Sequence, residues 1–208
     1  MLIIGAKGLA KEVLEIFYQK NELASLFFYD DISTDVTDLL YGQFRVLRNM
    51  EQVAQLFEND NQFTIGIGNP ILREKMSDRF TLAGGQLVSA ISPKAIIGHY
   101  GTVIGTGAII MSGTVITNDV KIGICSLINP NCAISHDTVI GDFVEISPGV
   151  NITGSCNIGD NCTIGTGAIL LPKVKLGNNV IVGAGAVVIK DVDDGLTVVG
   201  IPAKVMVG

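Results

Sequence analysis

From residue 104 onward, every sixth position of this chain is a large aliphatic. The column runs Ile104, Ile110, Ile116, Ile122, Ile128, Ile134, Ile140, Ile146, Ile152, Ile158, Ile164, Leu170, Leu176, Val182 and Val188 without a break. Four residues after each stands a smaller side chain, as at Ala108, Thr114, Val120, Ser126, Cys132, Thr138 and Ala186. Glycine follows the aliphatic every 18 residues, at Gly105, Gly123, Gly141, Gly159 and Gly177. A short repeat nested in a threefold longer one describes a triangular coil whose flat sides each send one large and one small residue inward. Stacked at the strand spacing of ~4.8 Å, about five coils make a prism roughly 24 Å tall. The pattern predicts a left-handed parallel β-helix of hexapeptide repeats, a known exception to the right-handed crossover rule. Ile91 and Ile97 belong to its first coil, which carries one extra residue around His99 and Tyr100.

Before Ala90 the period differs. "MLII" reads as a strand, followed by the turn "GAKG" and by "LAKEVLEIFYQK", whose Leu9, Val13, Ile16 and Phe17 share one helical face. "LFFYDD" is a second strand ending in two carboxylates, and "QFRVL" suggests a third. "NMEQVAQLF" is helical with Asn49 as its cap, "FTIGIGN" is another strand, and "PILREKMSDRF" opens a helix at Pro70. Strand–helix alternation of this kind gives a small parallel, Rossmann-like α/β sheet. The chain thus divides into an α/β unit over 1–90, expected to cover the first end of the prism, and a β-helix over 91–208. The tail "VVGIPAKVMVG" is expected to cap the other end, because Pro202 cannot continue a ladder.

Composition removes several function classes. The net charge is −6 and no Lys/Arg cluster occurs, which argues against a nucleic-acid partner. No apolar stretch approaches the roughly 20 residues that span a bilayer, and "MLIIGAKG" lacks the regions of a secretory signal, so a cytoplasmic protein without membrane insertion is expected. Cys125, Cys132, Cys156 and Cys162 form no C-x-x-C pair, and three of them occupy the repeat's small slot. They read as small buried residues in a reducing compartment. With two distant histidines, no three-histidine metal site can form, and no metal is expected.

One of those histidines interrupts the repeat, in "SHDTVIGDF". Residues 18 apart stack, so His136 lies in a column between Asn118 and Gly154. It stands two residues after the inward Ile134, close to a corner, and its ring is expected outside the core. Gly154 is expected to leave an open slot beside the ring and to present a bare backbone N–H. A base and an oxyanion partner are the minimum for acyl transfer. At a corner the following Asp137 can reach the imidazole, fix its tautomer and support the imidazolium. An isolated surface histidine is the bland alternative; the constrained repeat and the stacked glycine weigh against it. His99, in the irregular first coil, reads as surface.

These hexads, with "NPNCAISHDTVIGDF", the closing "VGIPAK" and the opening "IIGAKGLAKEV", resemble the bacterial sugar O-acyltransferase family. That family includes sialic-acid O-acetyltransferases, UDP-4-amino-sugar N-acetyltransferases of the bacillosamine type and perosamine N-acetyltransferases. The resemblance implies an acetyl-CoA-dependent N-acetyltransferase acting on a nucleotide-linked amino sugar, of the UDP-4-amino-4,6-dideoxyhexose kind. It implies His136 as general base supported by Asp137, and Asn129 shaping the acceptor pocket. It implies a homotrimer holding acetyl-CoA between neighbouring prisms, at Glu145, Gly154, Thr166, Ala184, Gly200, Pro202 and Lys204. Gly5, Ala6, Lys7, Gly8, Leu9, Asp30, Asp31 and Asn69 would hold the nucleotide sugar. Relatives commonly carry His where this chain has Leu9, and often where it has Glu145. Read on its own, a glycine turn opening a helix suits a diphosphate, and Asp30 ends a strand where an acidic residue meets ribose hydroxyls. Two alternatives stand beside this reading: O-acetylation of a sugar hydroxyl, and a non-catalytic prism whose α/β unit binds a nucleotide sugar.

Overall fold

A computed structural model describes residues 1–206. The chain opens with β1 (Leu2–Ile4), α1 (Gly8–Gln19) and β2 (Phe27–Tyr29). There follow β3 (Leu39–Leu40), β4 (Phe44–Leu47), α2 (Met50–Phe57), β5 (Gln62–Ile65), α3 (Pro70–Leu82) and β6 (Gln86–Leu87). The strands form one sheet in the order β3-β4-β2-β1-β5-β6. It is parallel except at one edge, where β3 and β4 make an antiparallel pair that the sequence reading did not include. The expected strand "FTIGIGN" stops at Ile65, because Gly66–Asn69 turn away to start α3. Asn49 and Asn69 cap α2 and α3 by accepting from the backbone N–H of Gln52 and Leu72.

Beyond β6 the chain enters the prism at Ala90 and coils with three faces. Face one stacks Ala90–Ile91, Ile109–Ile110, Leu127–Ile128, Glu145–Ile146, Thr163–Ile164 and Ile181–Val182. Face two runs from Ile96–Ile97 up to Val187–Val188, and face three from Val103–Ile104 up to Lys175–Leu176. All these pairings are parallel, with partners 18 residues apart over most of the height, as in Ala133↔Asn151. Above the first coil the inward column is sealed: Ile128, Ile146 and Ile164 are all 0 % exposed. Truncating such a residue to Ala typically costs about 2–5 kcal/mol.

The 18-residue glycine column has a steric cause. At the corner between faces three and one, Asp142 Oδ1 accepts from Ile124 N (2.7 Å) and Asp160 Oδ1 accepts from Asp142 N (2.8 Å). Asn178 and Asp194 continue the ladder upward. Each side chain tucks over the glycine of the coil below, and a Cβ at Gly123 or Gly141 would lie 2.3 Å from the carboxylate oxygen above it.

The α/β unit does not sit over the first end of the prism. It lies against the side, with Ile109, Met111 and Leu127 on face one joining a core with Ile3, Val13, Phe17 and Phe28. Ile91, Ile97 and Ile104 in the first coil stay half-buried as a result. Face one shows why: its outward residues in the lower coils are apolar, so they demand cover, and α1 supplies it. At the top, Thr197–Val199 pairs with Ile181–Val182, and Lys204–Val205 folds back antiparallel on it. Leu196 and Ala203 pack onto the last coil. No described helix is long and apolar enough to cross a membrane.

Candidate functional site

A cavity of about 370 Å³ opens at the carboxyl ends of β1, β2 and β5. Gly5, Ala6, Lys7, Gly8 and Leu9 form one wall, Asp30 and Asp31 a second, and Gly66, Ile67 and Gly68 a third. The cap residue of α1, Lys7, makes no side-chain capping bond, and the first turn carries no acidic residue. Its leading N–H groups and the positive end of the helix therefore face the cavity with no side chain to quench them.

The two carboxylates have different duties. Asp30 Oδ1 accepts from Ser33 N (2.8 Å) and Ile32 N (3.2 Å), so it shapes the turn after β2. Asp31 Oδ2 accepts from Tyr29 Oη (2.7 Å) and from Arg79 (3.1 Å), and Arg79 also donates to Tyr29 Oη (2.9 Å). Burial, then the bond to Asp31, pushes the Tyr29 phenol up to about 12. Burial also works to raise Asp31, but the bonds from Tyr29 and Arg79 outweigh it and hold the carboxyl below its usual range. Asp31 thus stays ionised, and this linked trio closes one end of the cavity. Tyr29, Met76 and Arg79 line the cavity too, and the sequence reading did not include them. The only sequence signal was the spacing of Met76 and Arg79, one turn apart on α3.

Asn69 is not in the cavity wall. Its side chain is engaged by Leu72 N at 2.9 Å, as the cap that an Asn before Pro supplies. Asn129 is likewise spent inside the structure. It is 6 % exposed, and its amide nitrogen donates to Ile146 O at 3.0 Å, so that nitrogen is committed to the prism backbone.

His136 and Asp137 form the turn between faces two and three. Asp137 has φ +58°, which brings its carboxylate back toward the ring. The two meet at 2.7 Å, Nδ1 to Oδ2, and both side chains are well exposed. A carboxylate only accepts, so in the neutral imidazole the proton sits on Nδ1 and Nε2 carries the lone pair. Gly154 lies directly above, but the expected open slot is filled by the ring itself: a Cβ on Gly154 would lie 2.7 Å from Nε2 and Cε1. The absent side chain is what lets the ring lie flat on the next coil. Above Gly154 the same corner continues to Lys173, whose N–H donates to Gly154 O at 3.0 Å. Lys173, Lys175 and Lys190 are all exposed on this upper part of the prism.

The remaining expected contacts do not gather around His136 in one chain. Glu145 lies on face one; its position, nine residues after His136, is half a coil away. It is half-buried, burial raises its carboxyl above the usual range, and Ser147 Oγ donates to it at 3.3 Å. Thr166 and Ala184 are exposed at the corner between faces one and two. Gly200, Pro202 and Lys204 are exposed on the tail. All four cysteines are free and buried. Among the described residues, no group of three or more His, Cys, Asp or Glu side chains could hold a metal ion.

Residues 1–80 match the family described as the PglD N-terminal domain, and residues 155–190 match bacterial transferase hexapeptide repeats. A search of the curated proteins returned no match. Solved structures agree over nearly the whole chain. A perosamine N-acetyltransferase from Caulobacter crescentus, a His-to-Asn mutant in complex with CoA and GDP-perosamine, is 30 % identical with a TM-score of 0.91, covering 100 % of this chain and 96 % of its own. WeeI from Acinetobacter baumannii is 32 % identical (TM-score 0.89, 99 % and 98 % covered). The acetyltransferase domain of PglB from Neisseria gonorrhoeae, in complex with acetyl coenzyme A, is 29 % identical (TM-score 0.90, 99 % and 98 % covered).

Proposed function

The chain belongs to the hexapeptide-repeat sugar acyltransferases with a PglD-type N-terminal domain, and we propose that it N-acetylates a nucleotide-linked amino sugar from acetyl-CoA. The observation that carries this is the His136–Asp137 bond, which leaves a bare Nε2 exposed over Gly154. His136 takes the proton from the sugar amine as its nitrogen attacks the thioester carbonyl. Asp137 holds the ring in the required tautomer and balances the imidazolium. His136 then gives the proton to the departing thiolate. Attack is direct, because the four thiols are sealed in the interior and none can carry an acyl group to the corner.

The acceptor's diphosphate fits the open helix end at Gly5–Leu9, with Asp30 and Asp31 on the nucleoside side. A UDP-linked 4-amino-4,6-dideoxy sugar is the acceptor we favour. Acetyl-CoA, a polyanion, is matched by the exposed lysines above His136. Within one chain, however, the α/β unit is fastened near Phe143, at the corner after face three, while His136 is at the corner before it. The chain between them, if fully extended, would span at most roughly 25 Å. A homotrimer resolves this by setting the His136 corner of one copy against face one and the cavity of the next. Glu145, Thr166 and Ala184 of the neighbour then wall the same groove. Free thiols suit a cytoplasmic setting.

The test is thiol release from acetyl-CoA against a panel of UDP- and GDP-linked 4-amino sugars and their hydroxyl-only counterparts. Release with an amino sugar alone is the expected result. Release with hydroxyl sugars alone would make it an O-acetyltransferase, and binding without release would make the prism a non-catalytic binder.

A further inference from the structure

A single buried cation joins the cavity to the prism. Arg73, on the first turn of α3, is only 1 % exposed. On one side its Nη1 donates to Ile67 O (3.1 Å) and to Gly68 O. On the other, Nε donates to Cys125 O (2.7 Å), and Nη2 to Phe143 O (2.7 Å) and Val144 O (3.1 Å). A guanidinium carries five N–H groups in a rigid fork, and here each has a carbonyl. Burial lowers Arg73 to about 10, so it remains protonated near neutral pH. Desolvating a guanidinium is expensive, and an apolar side chain of similar volume would serve a purely adhesive contact at less cost. What the fork adds is direction: it fixes five carbonyls, on two structural units, relative to one another.

The carbonyls on the near side belong to the cavity wall, since Ile67 and Gly68 line it. That wall is rigidly joined to the glycine turn. A Cβ on Gly66 would lie 2.5 Å from Ala10 Cα, and one on Gly5 would lie 3.0 Å from Gly66 O. Residues 5–10 and 66–68 therefore form one tightly packed body, and Arg73 fastens that body to the corner at Cys125 and Phe143.

We infer that Arg73 is a positioning residue that sets the register of the nucleotide cavity against the prism, and so of the acceptor amine against the catalytic corner. This rests on the acetyltransferase reading. Its logic is separation of function: the walls at Gly5–Leu9 and Asp30–Asp31 make no bond to Arg73, whereas transfer needs the amine within reach of a thioester held on the prism. Displacements of about 1 Å at a reacting centre can cost on the order of 100-fold in rate.

The experiment compares Arg73→Met and Arg73→Lys with the wild-type protein. It measures kcat, KM for each substrate, nucleotide Kd by calorimetry, and a thermal melt that establishes folding at the assay temperature. Arg73→Met is expected to lose about 10- to 100-fold in kcat, with nucleotide Kd and KM for acetyl-CoA within about threefold. Arg73→Lys, offering three donors for five carbonyls, should fall between. A folded Arg73→Met with wild-type kcat overturns the inference, as does nucleotide affinity lost in step with kcat. Should Arg73→Met fail to fold, Arg73→Lys decides: reduced kcat at unchanged Kd supports the inference and unchanged kcat overturns it. Failure of the acetyltransferase reading shows differently, as absence of thiol release by the wild-type protein.

Discussion

The cavity of the α/β unit and the His136 corner of the prism are built in opposite ways. The cavity is a concave space walled by segments far apart in sequence and fastened to one another, as by Arg79 on Asp31 and the close packing of Gly66 on Ala10. The corner is convex and local, two adjacent side chains bonded to each other over a glycine one coil away. The cavity suits recognition, which needs enclosure and many weak contacts. The corner suits chemistry, which needs one base held in one orientation on a stiff lattice. The difference teaches that binding and transfer are separable here, and variants should divide them.

The largest effect should come from the corner. His136→Ala is expected to lower kcat by two or more orders of magnitude, within the range for a lost general base, while nucleotide Kd stays near wild type. Retained turnover would break the comparison by removing the chemistry from the prism. A smaller effect should come from the cavity. Arg79→Ala removes the cation bonded to Asp31 and Tyr29 and leaves the Asp31 carboxylate with only its Tyr29 bond and no balancing charge beside the nucleotide. KM for the nucleotide sugar should rise about tenfold, the scale of one charge-assisted contact, with KM for acetyl-CoA unchanged. Equal changes in both KM values would blur the division.

The same contrast governs what the sequence makes legible. In the prism a residue's place follows from its number: the inward column, the stacking of Gly154 on His136, and the burial of Cys132, Cys156 and Cys162 all come from counting. Counting also shows that Glu145, nine residues from His136, lies half a coil away in the same chain. In the α/β unit the elements are legible from their periods, but the cavity is not. Tyr29, Arg73 and Arg79 acquire their roles from partners up to 71 residues away, as in Arg73 to Val144, and no local pattern encodes those distances. The two-residue edge strand β3 has no periodicity to detect. Asn69 is a different case: an Asn directly before Pro70 carries a capping signal in the sequence, and that signal outweighs a ligand role. The position of the α/β unit follows from Ile109, Met111 and Leu127, which are apolar where the repeat points outward.

The most direct test asks whether the two halves come from different copies of the chain. His136→Ala removes the corner, and Gly8→Asp, at a position with open space around it, sets a negative charge at the diphosphate end of the cavity. Each variant alone should be nearly inactive. Co-expressed in equal amounts and assembled at random, they should regain about a quarter of wild-type turnover, because one site in four of a threefold ring would pair an intact cavity with a neighbour's intact His136. Mixed protein no more active than either variant alone would place both halves within one chain and contradict the shared site.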